Sequence, residues 1–383
     1  MKAGKNLSVA ITSAGVLFMA TAVEVKAVSL GYNTSIGRPA NLAEGEVPGN
    51  PGGTLAVPQG IAVQEGTGNI FVANGGNDRL EVFDPQGNYL RGIGGTGSGP
   101  GQSNGQSAIA FEPNTGKLYA GDVFNNRVNV FNSDGSFDKS ILEGQFGGLI
   151  EGRAFFGPSG IAFGKDGFGY IGDFSGDRIL KFNTDGEIVG TIGGVTGTEP
   201  GQFQGPSAFS ILSDGNFVVA DQFNNRIQVI TPTGEPVAVY GELGREPGQF
   251  VQPIDIEVDE HDNIYVTDSI NSRVQVFDKN GSFLTTFGEP ALDAEGNVVP
   301  PVPLGAPSPY GDSLDLQPGR FNWTGGSDLK DGKYYVGDFF QGRVQVLDVV
   351  QEGSTAVPEP TSVLGIVVLG AGAAALKLRQ RQQ

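Results

Sequence analysis

The chain has no cysteine, one histidine (His261), one tryptophan (Trp323) and two methionines in 383 residues. Without thiols there is no disulfide framework, no thiolate metal centre and no thiol redox chemistry. A single histidine cannot build a His-rich zinc site, and a catalytic one needs an orienting partner and a reacting proton in reach. His261 falls in the run Glu260-His261-Asp262 and reads as an exposed turn residue. Basic residues are also scarce, 24 Lys and Arg against 42 Asp and Glu, for a net charge of −18. That field repels phosphate backbones and counts against nucleic acid as a partner, while it favours cations.

Long apolar runs are missing except near the two ends. Lys2 and Lys5 precede an apolar stretch over residues 7–22, and small-x-Ala sites follow at Ala20-Thr21-Ala22 and Val25-Lys26-Ala27. A basic start, a short apolar stretch and a small-residue cleavage site make residues 1–27 a secretory signal peptide. At the other end, Pro358-Glu359-Pro360 leads into an apolar stretch that ends at Leu376, followed by Lys377, Arg379 and Arg381. By length alone that stretch is short for a membrane span. Its three parts resemble the PEP-CTERM sorting signal of Gram-negative bacteria. The resemblance implies handling by an exosortase, a basic end left in the cytoplasm, and a context of extracellular polysaccharide. A C-terminal anchor that is never cleaved is the alternative. Setting aside three Lys and one Glu in residues 1–27, and one Glu, one Lys and two Arg in residues 357–383, leaves 18 basic and 40 acidic residues, a net −22.

What is abundant is glycine, 62 residues, with few charges for the length, the composition of many short strands joined by tight turns. A ten-residue unit recurs six times. Asp122, Asp173, Asp221, Asp268 and Asp338 each precede an arginine by five residues, at Arg127, Arg178, Arg226, Arg273 and Arg343, and Asn74 stands so before Arg79. The arginines are spaced 48, 51, 48, 47 and 70 apart. Each unit carries four strand signals separated by Asn, Asp, Ser and Gly turns, which is the pattern of a propeller blade.

These units resemble the NHL repeat over about residues 30–350. The motifs are Pro58-Gln59-Gly60-Ile61-Ala62-Val63, Gly68-Asn69-Ile70-Phe71-Val72-Ala73, the Asp…Asn-x-Arg hairpin, and the connectors Pro200-Gly201-Gln202-Phe203 and Pro247-Gly248-Gln249-Phe250. The expected fold is all-β, a six-bladed propeller of four-stranded antiparallel blades. Asn74 departs from the acid of the pattern, and the sixth unit lacks an apolar first strand near Thr324. That unit also stops after its third strand. Its missing fourth strand is found at the N-terminus, where Tyr32-x₃-Ile36-Gly37 matches Tyr89-x₃-Ile93-Gly94. The N-terminal strand is therefore expected to close the last blade and remove the open edges. The organisation is a signal peptide (1–27), a propeller (28–350) with an insertion at 289–320, and a linker with sorting tail (351–383).

The Asp–Arg pairs recur in every unit, so they read as structural devices rather than a site. Chemistry needs groups that break the repeat. Asp255 stands where other units have Gly60, Ala108, Gly160 and Ala208, and first strands line a propeller's channel, so it can present a carboxylate there. Ca²⁺ is the one cofactor left open, although one unit supplies too few oxygens and no spaced Asp loop is present. The run Asp255, Glu257, Asp259, Glu260 and Asp262 otherwise reads as a solvated acidic face. The Pro-rich insertion offers Tyr310 and Trp323 as aromatic platforms, and residues 143–156 form a smaller irregularity. The expected role is a non-catalytic binding scaffold for protein or polysaccharide, exported to the periplasm, surface or matrix. Its membrane contact would be through the tail alone, and its processing partners signal peptidase and an exosortase. The alternative is a metal-dependent propeller hydrolase or lyase of the lactonase kind, with a divalent ion on the axis.

Overall fold

The computed structural model describes residues 28–41, 44–47, 49–149, 157–293, 296–298 and 315–351. The signal peptide, the sorting motif at Pro358, Glu359 and Pro360, and Tyr310 lie outside them.

Six four-stranded antiparallel sheets form the ring. The first strands are Pro58–Val63, Gln106–Phe111, Pro158–Phe163, Pro206–Ile211, Pro253–Val258 and Thr324–Lys330, and each adjoins the first strand of the next blade until the sixth meets the first. Second and third strands are sandwiched between neighbouring blades, so a strand such as Ile264–Asp268 is buried throughout. The β-branched and aromatic residues there suit a surface packed on both faces. Six apolar clusters fill the ring, one in each seam between adjacent blades.

The hairpin between second and third strands needs a left-handed residue just before each arginine. Asp78, Asn126, Asp177, Asn225, Ser272 and Gly342 all sit there at φ of 51 to 58°. Asn, Asp and Gly tolerate that region best, which is why the sequence repeats them.

Closure is made by Val28–Ile36, which pairs antiparallel with Arg343–Gln351. Ile36 faces Val344 and Tyr32 faces Leu347, the register by which Ile93 faces Leu80 and Tyr89 faces Phe83 in blade one. Sequence and register agree residue by residue. The sixth blade does have a first strand, over Thr324–Lys330, although Gly325, Gly326, Ser327 and Asp328 make it polar. It forms because the sheet supplies its backbone partners, whatever its weak intrinsic preference. Within the insertion, Glu289–Pro290 and Arg320–Phe321 pair in parallel and bring the two ends of the excursion together.

Candidate functional site

Five of the six repeated pairs are engaged in holding the ring. In blade four, Arg226 Nε donates to Asp221 Oδ2 at 2.8 Å, while Asp221 Oδ1 accepts from the Gln204 backbone N–H at 2.7 Å. The same guanidinium donates to the Glu199 and Gln202 carbonyls. Each pair thus clamps the connector that enters its own blade. The geometry recurs with Asp122–Arg127, Asp173–Arg178 and Asp268–Arg273 at 2.8 Å and with Asp338–Arg343 at 2.9 Å. The clamp seats the aromatic that precedes it in the connector, since Phe203, Phe250 and Phe321 are fully buried. Burying one phenyl ring in this way contributes about 1.5–3 kcal/mol. Burial pushes the Asp338 carboxyl up to about 6 despite Arg343 beside it. These pairs orient the chain more than they stabilise it.

A further repeated device lies two residues after the arginine. Gln228, Gln275 and Gln345 donate to the clamp aspartate and to a connector carbonyl, and each accepts from a connector glycine N–H. Blade one exchanges the two roles. Its Asn74 holds the Ala56 N–H at 2.7 Å, and the acid has moved to Glu81. There the Arg79–Glu81 separation is 3.6 Å, and Arg79 Nε and Glu81 Oε2 find no hydrogen-bond partner.

The channel is where the repeat breaks. Its wall is drawn tight by small residues in the first strands. A Cβ on Gly60 would lie 2.7 Å from the Ser107 carbonyl oxygen, and one on Gly160 2.6 Å from Ala208 Cα. A cavity of roughly 130 Å³ remains, lined from all six blades. Serine hydroxyls stitch three seams along it, Ser107 to the Pro158 carbonyl (3.1 Å), Ser159 to Pro206 (2.9 Å) and Ser207 to Pro253 (3.2 Å).

The two seams of blade six use carboxylates instead. Asp255 Oδ2 accepts from the Ser327 backbone N–H and, at 2.9 Å, from its hydroxyl; Oδ1 accepts from the Ile256 N–H. Asp328 Oδ2 accepts from the Val63 N–H of blade one at 2.6 Å. Glu257, two residues beyond Asp255 on the same strand face, also lines the cavity. Among the described residues nothing donates a hydrogen bond to its carboxyl. Burial first, then the charges of Asp328 and Asp255, push Glu257 well above the usual carboxyl range. Burial raises Asp255 and Asp328 to about 6. The Tyr334 hydroxyl lies fully buried beside Asp255, Glu257 and Ser327 without completing a hydrogen bond.

The expected acidic face is therefore not a solvated one. Asp255 and Glu257 turn inward, Asp259 and Asp262 hold turns by accepting from the Asn263 and Ser213 N–H groups, and Glu260 alone is largely exposed. His261 is exposed in that turn, 3.8 Å from the Glu260 carboxylate. Trp323 is a second correction. It is 6% exposed, stacked on Phe339 at 5.7 Å and edge-on to Phe340 at 5.5 Å, so it is no exposed platform. Its clamp-side position, immediately after the buried Phe321 and Asn322, carries it inward. Phe339 and the equivalent hairpin residues Val123, Phe174 and Gln222 ring one end of the cavity.

Asp328 and the seam serines escaped the sequence reading, and Glu257 was read only as part of a solvated acidic face. A signal was present for the serines, which follow directly on the first residue of the strand in blades two, three and four. Asp328 gave none, because a polar strand in a divergent blade offers no register to count from.

An axial divalent ion does not fit this donor set. Among the described residues no three His, Asp or Glu side chains are placed to hold a metal ion. Asp255 and Glu257 come from one blade, and Gly60, Ala108, Gly160, Ala208 and Gly326 face them.

A family model described as the NHL repeat matches residues 250–277, the clamp connector and first three strands of blade five. No curated protein matches the chain. Among solved structures, a structural-genomics protein of unknown function from Bacteroides thetaiotaomicron shares 18% identity at a TM-score of 0.60, over 84% of this chain and 76% of that one. A protein provisionally described as a gluconolactonase shares 14% identity at a TM-score of 0.51, over 78% of this chain and 90% of its own. Virginiamycin B lyase from Staphylococcus aureus shares 13% identity at a TM-score of 0.49, over 84% of this chain and all of the lyase. At these identities the likeness is one of fold.

Proposed function

We propose that this chain is an exported NHL-type propeller that acts as a non-catalytic binding scaffold for a protein or polysaccharide at the surface of a Gram-negative bacterium. The observation that carries the reading is the connector face. Connectors and second-to-third-strand hairpins all gather at one end of the ring, and Phe124, Val195 and Leu243 project from it more than half exposed. Apolar side chains held out on a rigid, acidic ring favour contact with a partner. The repeated charges are spent on clamps, and the Ser327 hydroxyl beside Asp255 is engaged, together with the Ser327 N–H, in the joint between blades five and six.

Export is compatible with closure of the ring, because cleavage after Ala27 at the small-x-Ala site Val25-Lys26-Ala27 would keep all of Val28–Ile36, which pair with Arg343–Gln351. The tail would then be read by an exosortase through Pro358, Glu359 and Pro360, as the PEP-CTERM resemblance implies.

The lactonase-like reading rests on fold alone, and the donor set above argues against it. Binding of the mature protein to glycan arrays and surface extracts tests the scaffold. Val195→Asp with Leu243→Asp should weaken capture at least tenfold with melting unchanged. A stoichiometric divalent ion with ligands from three or more blades would overturn the reading. Cell fractionation of a variant with Pro358, Glu359 and Pro360 all changed to Ala tests the address, and unaltered surface display would reject it.

A further inference from the structure

We infer that the central channel is a binding site for an organic cation, a protonated amine or guanidinium on a short apolar stem, seated against Glu257. This goes beyond the scaffold reading and does not depend on it. Three features of the cavity converge on that chemistry.

The first is an acceptor with nothing to accept from. Glu257 lines the cavity and receives no hydrogen bond among the described residues, while Asp255 beside it has both oxygens committed to Ser327 and Ile256. A half-buried carboxyl on the wall of a narrow channel is costly to leave unsatisfied unless a ligand completes it. An ammonium or guanidinium donates to it.

The second is the sign of the field. Asp255 and Glu257 line the cavity, Asp328 is near enough to act on Glu257, and no lysine or arginine lines the cavity. A cation offsets the mutual repulsion that an anion or neutral ligand would leave in place. A metal ion would need several converging oxygens, which this wall lacks.

The third is size and shape. A cavity of roughly 130 Å³ is close to the ~150 Å³ that holds a benzene molecule, so it takes a side-chain-sized solute and not a glycan chain. Val123, Phe174 and Phe339 form an apolar collar at the connector end, and Glu257 lies toward the opposite end of its strand. An apolar stem can therefore pass the collar while the charged head reaches the acid. Polymer binding on the connector face and cation binding in the channel are thus separate events.

The test is calorimetric titration of the full chain with n-butylammonium and agmatine, and with n-butanol as the neutral control. Glu257→Gln serves as the variant. Saturable binding of at least one cation, no comparable binding of n-butanol, and a tenfold or greater loss in Glu257→Gln are expected. Melting curves guard the variant, because Glu257→Gln removes like-charge repulsion and should melt no lower than the parent. Equal affinity for n-butanol, or unchanged cation affinity in a folded Glu257→Gln, overturns the proposal. A blocked Gly-Lys-Gly peptide distinguishes the source of the amine. Binding of the peptide points to a partner's lysine, and binding of the free cations alone points to a small solute.

Discussion

Blades two to four and blade six solve the same joining problem with different chemistry. Between blades two and three, three and four, and four and five, a neutral serine hydroxyl bridges the seam to a proline carbonyl. Blade six is assembled from segments at opposite ends of the ring sequence, and both of its seams are held by carboxylates that accept backbone N–H groups. Its outer pair is also longer, with nine residues in each strand against five in the third strands of other blades. Asn33 adds two contacts of 2.9 Å to Asp348 across that pair. The one blade whose third and fourth strands are not joined by a hairpin is thus given a longer outer ladder, and carboxylate bonds at the seams on either side of it.

If that contrast is right, the closing strand is the most expensive part to remove. Deleting residues 28–36 uncovers Val344, Val346 and Leu347, which are at most 2% exposed. At about 1.5–3 kcal/mol for each side chain the loss is roughly 5–9 kcal/mol, which rivals a whole domain's stability of about 5–15. Thermal melting should show a collapse of the cooperative transition. An unchanged midpoint would remove the closure argument. Truncating a clamp ranks next. Arg343→Ala strands the buried Asp338 carboxyl and should cost about 3–5 kcal/mol in chemical denaturation. The same change at Arg79, 31% exposed and 3.6 Å from the buried Glu81, should cost less, because the longer pair holds its acid more weakly and burial already favours the neutral Glu81 carboxyl. Equal losses at the two sites would mean that the exchange of Asn74 and Glu81 leaves the clamp intact.

Much of this was open to reading in the chain itself. Six arginines at near-equal spacing gave the blades, and Tyr32-x₃-Ile36-Gly37 gave the closing strand in its true register, because a blade repeats its hydrogen-bond pattern along with its residues. The clamp partners were half legible. Asp and Arg could be paired by spacing, but the connector atoms they hold are backbone groups that carry no sequence signal. Trp323 misled because it follows a Pro-rich insertion, while its neighbour Phe321 obeys the connector rule and drags it inward. The channel was the least legible part. Asp255 stood out as a break in a column of Gly and Ala, yet its partner Ser327 is 72 residues away in the one blade whose first strand has no pattern.

The carboxylate seams make a pH-dependent prediction that the serine seams do not. Asp255 and Asp328 are raised to about 6 by burial, so folding favours their protonated forms. Their contribution is fully present below the unfolded carboxyl range and is lost as pH rises through about 6. Relative to a variant with both changed to Asn, the parent should gain on the order of 1–3 kcal/mol between pH 7.5 and pH 4.5. Midpoints that track each other across that range would show that the two acids titrate normally. The smallest expected effect is at a serine seam. Ser159→Ala removes one hydroxyl bond of 2.9 Å to the Pro206 carbonyl. The cost should be about 0.5–1.5 kcal/mol and flat across the same pH range, because neither partner titrates. A pH-dependent loss in that variant would mean that its seam feels the acids across the channel, and would erase the difference between the two kinds of joint.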